Sequence, residues 1–160
     1  MVLVDLPGLR QELAHGARLI GLDLGEKTVG IAISDTGRAV ASPLATRKRT
    51  KFTTDFEALR TLVAEHGAGG LVVGLPLNMN GTEGPAAQSA RAFARNFAAR
   101  SDVPVLLWDE RLSTAAVTRT LLGADVSRRR RAELVDKMAA AWILQGALDA
   151  LARIVAENRK

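Results

Sequence analysis

The sequence predicts an α/β fold on a mixed sheet, and three observations predict it. An apolar segment from Arg18 to Leu24 is followed at once by two further strand-like segments joined by tight-turn residues, the pattern of an antiparallel meander. Helical and strand-like segments then alternate, as they do when helices cross over a sheet. The 160 residues, 48% hydrophobic and 24% charged, suffice for one sizeable core, so the chain reads as a single domain (1–160) with its core at about 18–157 and an extension at 1–17.

Pro7 to Ala14 looks like a short helix. The first strand, Arg18 to Leu24, carries Asp23 at its end with Gly25 after it, which places the Asp23 side chain exposed where backbone can approach a ligand. Val29 to Ser34 is the second strand, and the turn sequence Asp35-Thr36-Gly37-Arg38 leads into the third, Ala39 to Thr46. Thr54-Asp55 can cap a helix whose Phe56, Leu59, Leu62 and Val63 share one face, ending near Gly67. Gly69 and Gly70 release Leu71-Val72-Val73, too short and too β-branched for a helix. The stretch from Gly74 to Pro85, rich in Gly, Pro and Asn, is a loop leaving a buried strand, and loops in that position usually hold ligands. Ala86 to Arg100 is helical, with Phe93 and Phe97 buried and Arg91, Arg95 and Arg100 outside; Pro104 to Trp108 is the last strand. Ser113 or Thr114 caps a helix over Ala115 to Leu122, and after the loop Gly123 to Ser127 a long helix runs from about Ala132 to Glu157.

Composition excludes several chemistries. There is no cysteine, and two isolated histidines, His15 and His66, cannot build a histidine-rich metal site, so any metal must be held by carboxylates. No apolar stretch approaches the roughly 20 residues of a bilayer helix, and the N-terminus, with Asp5 and Pro7, does not read as a signal peptide. The expectation is a cytoplasmic protein with no membrane partner. Net charge is +5, and eight of the 22 basic residues fall in two runs, Arg47, Lys48, Arg49 and Lys51, then Arg128 to Arg131. Such runs can neutralise nucleic-acid phosphates or simply form solvated loops, and charge alone does not choose between these. With 4% aromatic residues and no tyrosine, a surface for stacking single-stranded bases is not evident.

Carboxylates recur where strands end. Asp109-Glu110-Arg111 follows the last strand, and because successive side chains there point to opposite faces, the two acids should not share one role; Asp109 can instead pair with Arg111. Asp136 lies in the last helix beside Met138, Ala139 and Ala140, where a lone carboxylate is costly unless it meets a cation. If Asp23, Glu110 and Asp136 converge, they bind one or two Mg²⁺ or Mn²⁺ ions, hard cations suited to phosphodiester hydrolysis. The segment Gly21 to Thr28 is no phosphate-binding loop, since Glu26 precedes Lys27 and no helix follows.

Four motifs in order, Gly21-Leu22-Asp23-Leu24-Gly25 with Lys27 and Gly30, Val73-Gly74-Leu75-Pro76 with Asn78 and Gly81, Asp109-Glu110-Arg111-Leu112-Ser113-Thr114, and Asp136 with Ala139-Ala140, resemble the YqgF/RuvX family from about Arg18 to Leu151. The resemblance implies an RNase H-like fold with a five-stranded mixed sheet, related to the RuvC Holliday junction resolvases. It also implies one of two roles: resolving branched DNA, or processing the 5′ end of pre-16S ribosomal RNA. By the same resemblance Asp23, Glu110 and Asp136 are the catalytic, metal-holding acids. Lys27, Asn78, Arg111 and the run Arg128, Arg129, Arg130 and Arg131 would then contact the nucleic acid. The chain departs from RuvC at one point: RuvC-like enzymes end the fourth strand in an acid, whereas here Gly74-Leu75-Pro76 stands there, so Glu110 must supply that ligand from the neighbouring strand. Junction resolution needs paired cuts and so a homodimer, whereas RNA trimming does not. Two other readings are a non-catalytic nucleic-acid-binding assembly factor and an ATP-binding protein of the actin/Hsp70 type; the latter needs two lobes where this chain has one.

Overall fold

A computed structural model describes residues 3–158 apart from 113–127; for 128–137 and 156–158 it describes the helical backbone and not the side chains. The strands are β1 (Leu3–Val4), β2 (Arg18–Leu24), β3 (Thr28–Ser34), β4 (Ala41–Lys48), β5 (Ala68–Leu75) and β6 (Val105–Asp109). The helices among the described residues are α1 (Leu6–Glu12), α2 (Phe52–Glu65), α3 (Pro85–Arg100) and α4 (Arg128–Asn158). The sheet order is β1-β6-β5-β2-β3-β4. The meander β2-β3-β4 is antiparallel, and β5, β6 and β1 run parallel to β2.

The sheet therefore has six strands, not five. The extra one comes from the N-terminal extension, whose Leu3 and Val4 pair with Val105 and Leu106 and close the edge beside β6. Asp5 then caps α1 by accepting from the Gly8 amide at 2.9 Å, and Leu9, fully buried, anchors that helix in the core under α4. Other boundaries move for local reasons. The third strand starts at Ala41 because the Asp35 carboxylate captures the Ala39 and Val40 amides in the turn, at 2.8 and 3.1 Å. Helix α2 starts at Phe52, ahead of the expected cap: Asp55 lies inside its first turn and reaches back to Thr50. Gly69 and Gly70 belong to β5, where a Cβ on Gly70 would stand 2.9 Å from both Leu19 and Leu9. The helix expected over Ala115–Leu122, its caps Ser113 and Thr114, and the loop Gly123–Ser127 lie outside the described residues.

Two cores flank the sheet. Leu22, Ile31, Leu71 and Val73 face Phe56, Leu59, Phe93 and Phe97 of α2 and α3. On the other face, Leu19, Ala32, Val72, Leu106 and Trp108 meet Ala140, Ile143, Leu144, Ala147 and Leu148 of α4. Small residues let α4 lie close to β2: a Cβ on Gly21 would come within 2.7 Å of Leu144 Cβ. Gln145 sets the helix's rotation, accepting from the Ala41 amide at 2.8 Å and donating to the Ala39 carbonyl at 2.9 Å. Met138–Val155 of α4 is long and apolar enough to cross a membrane, contrary to the sequence expectation, and half of that window is buried inside the protein. Its apolar stripe is the one that covers the sheet.

Candidate active site at the carboxyl ends of the strands

Asp23 is buried, 7% exposed, rather than exposed as the strand-end position suggests. Its place in the alternation explains this. Leu19, Gly21 and Asp23 are successive residues on the face of β2 that meets α4, whereas Leu22 and Leu24 face α2 and α3. The next strand, β5, pairs Val73 with Leu22, which sets Gly74 beside Asp23 about 4.8 Å away in the sheet.

Gly74 decides the geometry. A Cβ built on it would lie 2.6 Å from Glu110 Oε1 and 2.6 Å from Ile143 Cδ1, so the glycine leaves a notch that the Glu110 carboxylate fills from β6 while α4 closes it from above. Glu110 begins a turn of 3-10 helix, Glu110–Leu112, directly after β6 and is itself 7% exposed. The absence of an acid at the end of β5 is thereby explained: the neighbouring strand lays its carboxylate over that position. Two buried acids from distant parts of the chain share one face at the ends of β2 and β6, the strands on either side of β5.

Asp136 falls in α4 one turn before Ala140, whose carbonyl oxygen lies over Gly21, but its side chain is outside the described residues. Among the described residues no three carboxylates or histidines cluster. The arginine run Arg128, Arg129, Arg130 and Arg131 forms the first turn of α4, not a loop before it; its side chains too lie outside the described residues.

Asp109 points elsewhere. Its carboxylate accepts from Arg111 Nε at 3.0 Å and Nη2 at 2.7 Å, and from the Arg111 amide at 3.0 Å. The guanidinium holds Asp109 below the usual carboxylate range, and Asp109 in turn raises Arg111. Arg111 also donates to the Met79 carbonyl at 3.4 Å, tying the loop after β5 to the end of β6. Within that loop the Asn78 amide group donates to Thr82 Oγ1 at 2.9 Å and its backbone N–H to the Thr82 carbonyl, so Asn78 builds the loop. Lys27 is exposed on the β2–β3 turn, its carbonyl accepting from the Arg49 amide at 2.8 Å.

Sequence reasoning missed the roles of Arg47, Arg49 and Asp55. Asp55, 1% exposed, accepts from the Thr50 amide, from Thr50 Oγ1 at 2.6 Å and from Arg47 Nη2 at 3.3 Å. Arg49 donates to the Gly25 carbonyl at 3.0 Å and to Ser89 Oγ at 2.9 Å. Half of the first basic run thus has built-in partners. The signal in hand was an acid four residues into a helix after a basic run, which spacing alone reads equally well as a cap.

Residues 17–150 match the family model described as RuvX, Holliday junction resolvase. A protein of Paramagnetospirillum magneticum named "Putative pre-16S rRNA nuclease" is 60% identical over 141 residues, 88% of this chain and 91% of its own. One of the same name from Roseobacter denitrificans is 55% identical over 160 residues, 99% of this chain and 98% of its own. The Thermus thermophilus RuvC structure superposes with a TM-score of 0.51 at 15% identity, covering 87% of this chain and 96% of that one, a likeness of fold. The chain belongs to the RuvX family of Holliday junction resolvases.

Proposed function

We propose that this protein is a divalent-metal-dependent nuclease in which Asp23, Glu110 and Asp136 hold Mg²⁺ or Mn²⁺ at the carboxyl ends of β2, β5 and β6. The observation that carries this is the Glu110 carboxylate seated over Gly74, on the same face as Asp23 and under the helix that bears Asp136. A hard oxygen donor set without histidine or cysteine fits those ions. When bound, the ions activate water and stabilise the leaving oxygen of a phosphodiester.

The chain's own residues do the rest. Gly74 and Ile143 fix the Glu110 carboxylate, and the buried setting of both acids keeps bulk water from screening their charge. Asp109 stays on Arg111 and leaves the pocket's charge to Glu110. Lys27, Asn78, Arg111 and Arg128 to Arg131 would contact the nucleic acid; among the described residues, two of the five Arg111 N–H groups have no acceptor and remain for a phosphate. Precursor 16S ribosomal RNA is the substrate favoured, because it is what the relatives at up to 60% identity are named for; the family description supports four-way DNA junctions as a second. The setting would be cytoplasmic.

The test is cleavage of both substrates by purified protein at equal salt, with Mg²⁺, Mn²⁺ or chelator, and with Asp23→Asn alongside, the oligomeric state being measured in parallel. Cleavage that needs the ion and vanishes in Asp23→Asn is the expected result. Binding without turnover under every ion would instead favour an assembly factor, and undiminished turnover by Asp23→Asn would remove Asp23 from the site.

A further inference from the structure

Beside the strand ends, on the α3 side of the sheet, lies a cavity of about 500 Å³ lined by Leu24, Gly25, Glu26, Arg49, Pro85, Ala86 and Ser89. It begins one residue after Asp23. A second cavity, of about 180 Å³, continues from it along α3 and shares Arg49 and Ser89. Arg49 stands where the two meet.

The bonding of this arginine is unusual for a half-buried cation. Its side chain donates to a carbonyl, Gly25 O, and to a hydroxyl, Ser89 Oγ, both neutral. Among the described residues it has no carboxylate within ion-pair distance, whereas Arg47, two residues earlier in the same run, is paired with Asp55. A guanidinium has five N–H groups, so three remain after these two bonds. Its fork is held in place from the turn at Gly25 and from α3, with the Arg49 amide bonded to the Lys27 carbonyl as well. A fixed, partly desolvated cation without an internal counter-charge, facing a cavity, is suited to an anion from outside.

We infer that this cavity is a backbone subsite, in which Arg49 receives a phosphate of the nucleic-acid strand next to the scissile one. The inference rests on the nuclease reading above. The Asp23 side chain faces α4 and the cavity lies on the α3 side, so the nucleic-acid chain passes from one to the other over the end of β2, where Asp23 and Gly25 are two residues, about 7 Å, apart. Contact there is with phosphate and carries no sequence preference. Glu26, exposed, is the one carboxylate lining this cavity and opposes the anion; Asp55 lines the second cavity, where Arg47 and Thr50 hold it.

The test is equilibrium binding of a four-way DNA junction and of a pre-16S 5′-end RNA, without divalent ions so that nothing is cut, across about 50 to 200 mM salt. Arg49→Gln should lower the salt slope by about 0.9 on duplex or about 0.7 on single strand, so that the wild-type advantage shrinks about three-fold over that range. Arg49→Lys should keep the slope. Since Arg49→Gln also loosens the Gly25 turn, Ser89→Asp serves as the second variant: it leaves the arginine and its Gly25 bond in place, supplies a carboxylate to the guanidinium, and should lower the slope equally. Glu26→Gln should tighten binding.

An unchanged slope in both Arg49→Gln and Ser89→Asp, with the wild type binding normally, overturns the subsite and leaves the nuclease reading intact. No binding of either nucleic acid by the wild type overturns both. Displacement of the oligonucleotide by inorganic phosphate at constant ionic strength would make the cavity a free-phosphate site and overturn the strand assignment.

Discussion

Among the described residues carboxylates are buried in two places, and the two are built in opposite ways. At the start of α2, Asp55 is satisfied locally: Thr50 gives it an amide and a hydroxyl from five residues away, and Arg47 gives it a charge. At the carboxyl ends of β2 and β6, Asp23 and Glu110 come from positions 87 residues apart and are set on one face by sheet register and by the side chain that Gly74 lacks. The first arrangement consumes a carboxylate to hold a loop. The second sets two carboxylates from distant parts of the chain on one face at the strand ends, an arrangement suited to the cation proposed above.

The sharpest separation of the two comes from neutralising one acid in each. Asp23→Asn keeps the shape and removes the charge, so cleavage should fall by at least about 10³-fold, because metal assistance is worth several kcal/mol to the transition state. Thermal stability without metal should fall by no more than about 1 kcal/mol, since the carboxamide keeps the shape of Asp23 and an oxygen acceptor. Kinetics together with a melting curve would check both halves; a large loss of stability would mean that Asp23 is a structural acid of the Asp55 kind.

Gly74→Ala probes the same pocket without touching an acid. The new Cβ would stand 2.6 Å from Glu110 Oε1, so the carboxylate must shift, and turnover should drop by about 10- to 100-fold. Ile143 is met at the same distance, so stability should fall by about 1–3 kcal/mol from overpacking. The double variant Gly74→Ala, Ile143→Val relieves the second contact and leaves the first. Recovered stability with turnover still depressed would assign the kinetic loss to the displaced carboxylate.

Asp55→Asn should do the reverse of Asp23→Asn. The Thr50 and Arg47 donors lose part of their acceptor, at a cost of about 1–3 kcal/mol in urea unfolding, while kcat for the remaining folded protein stays within about two-fold. A collapse of kcat there would erase the contrast between the two sites.

How much of this was legible in the sequence follows from the same contrast. Arg18–Leu24 is a strand in both readings because its apolar residues and the turn signals around it act over a few residues, and Phe93 with Phe97 announced the buried face of α3 for the same reason. The acids were visible as residue types at strand ends. What could not be read was register: that Gly74 lies between Asp23 and Glu110, that Asp23 points inward under α4, and that Leu3–Val4 finds an edge beside β6 are consequences of pairings between distant segments. Arg49 was misjudged for a related reason, since nothing local distinguishes an arginine that clamps Gly25 and Ser89 from its solvated neighbours Lys48 and Lys51.

The smallest effect should come from Asp109, the acid adjacent to Glu110 in sequence and opposite to it in fate. Its folded-state pKa is lowered, chiefly by the hydrogen bonds from Arg111, so the pairing contributes fully above the unfolded carboxylate value of about 3.9 and is lost only as pH falls through the lower folded value. The latch between β6 and the loop at Met79 is therefore closed throughout the neutral range, and pH should not open it there. Asp109→Asn weakens it at every pH. Activity should fall less than about ten-fold, as the loop carrying Asn78 loses part of its tether, and the variant's amide exchange should rise over residues 78–82 and at Arg111 while β5 itself stays protected. If instead Asp109→Asn abolished cleavage while Glu110→Gln spared it, the two neighbours would have exchanged roles, and the notch over Gly74 would be a packing detail rather than the seat of the catalytic acid.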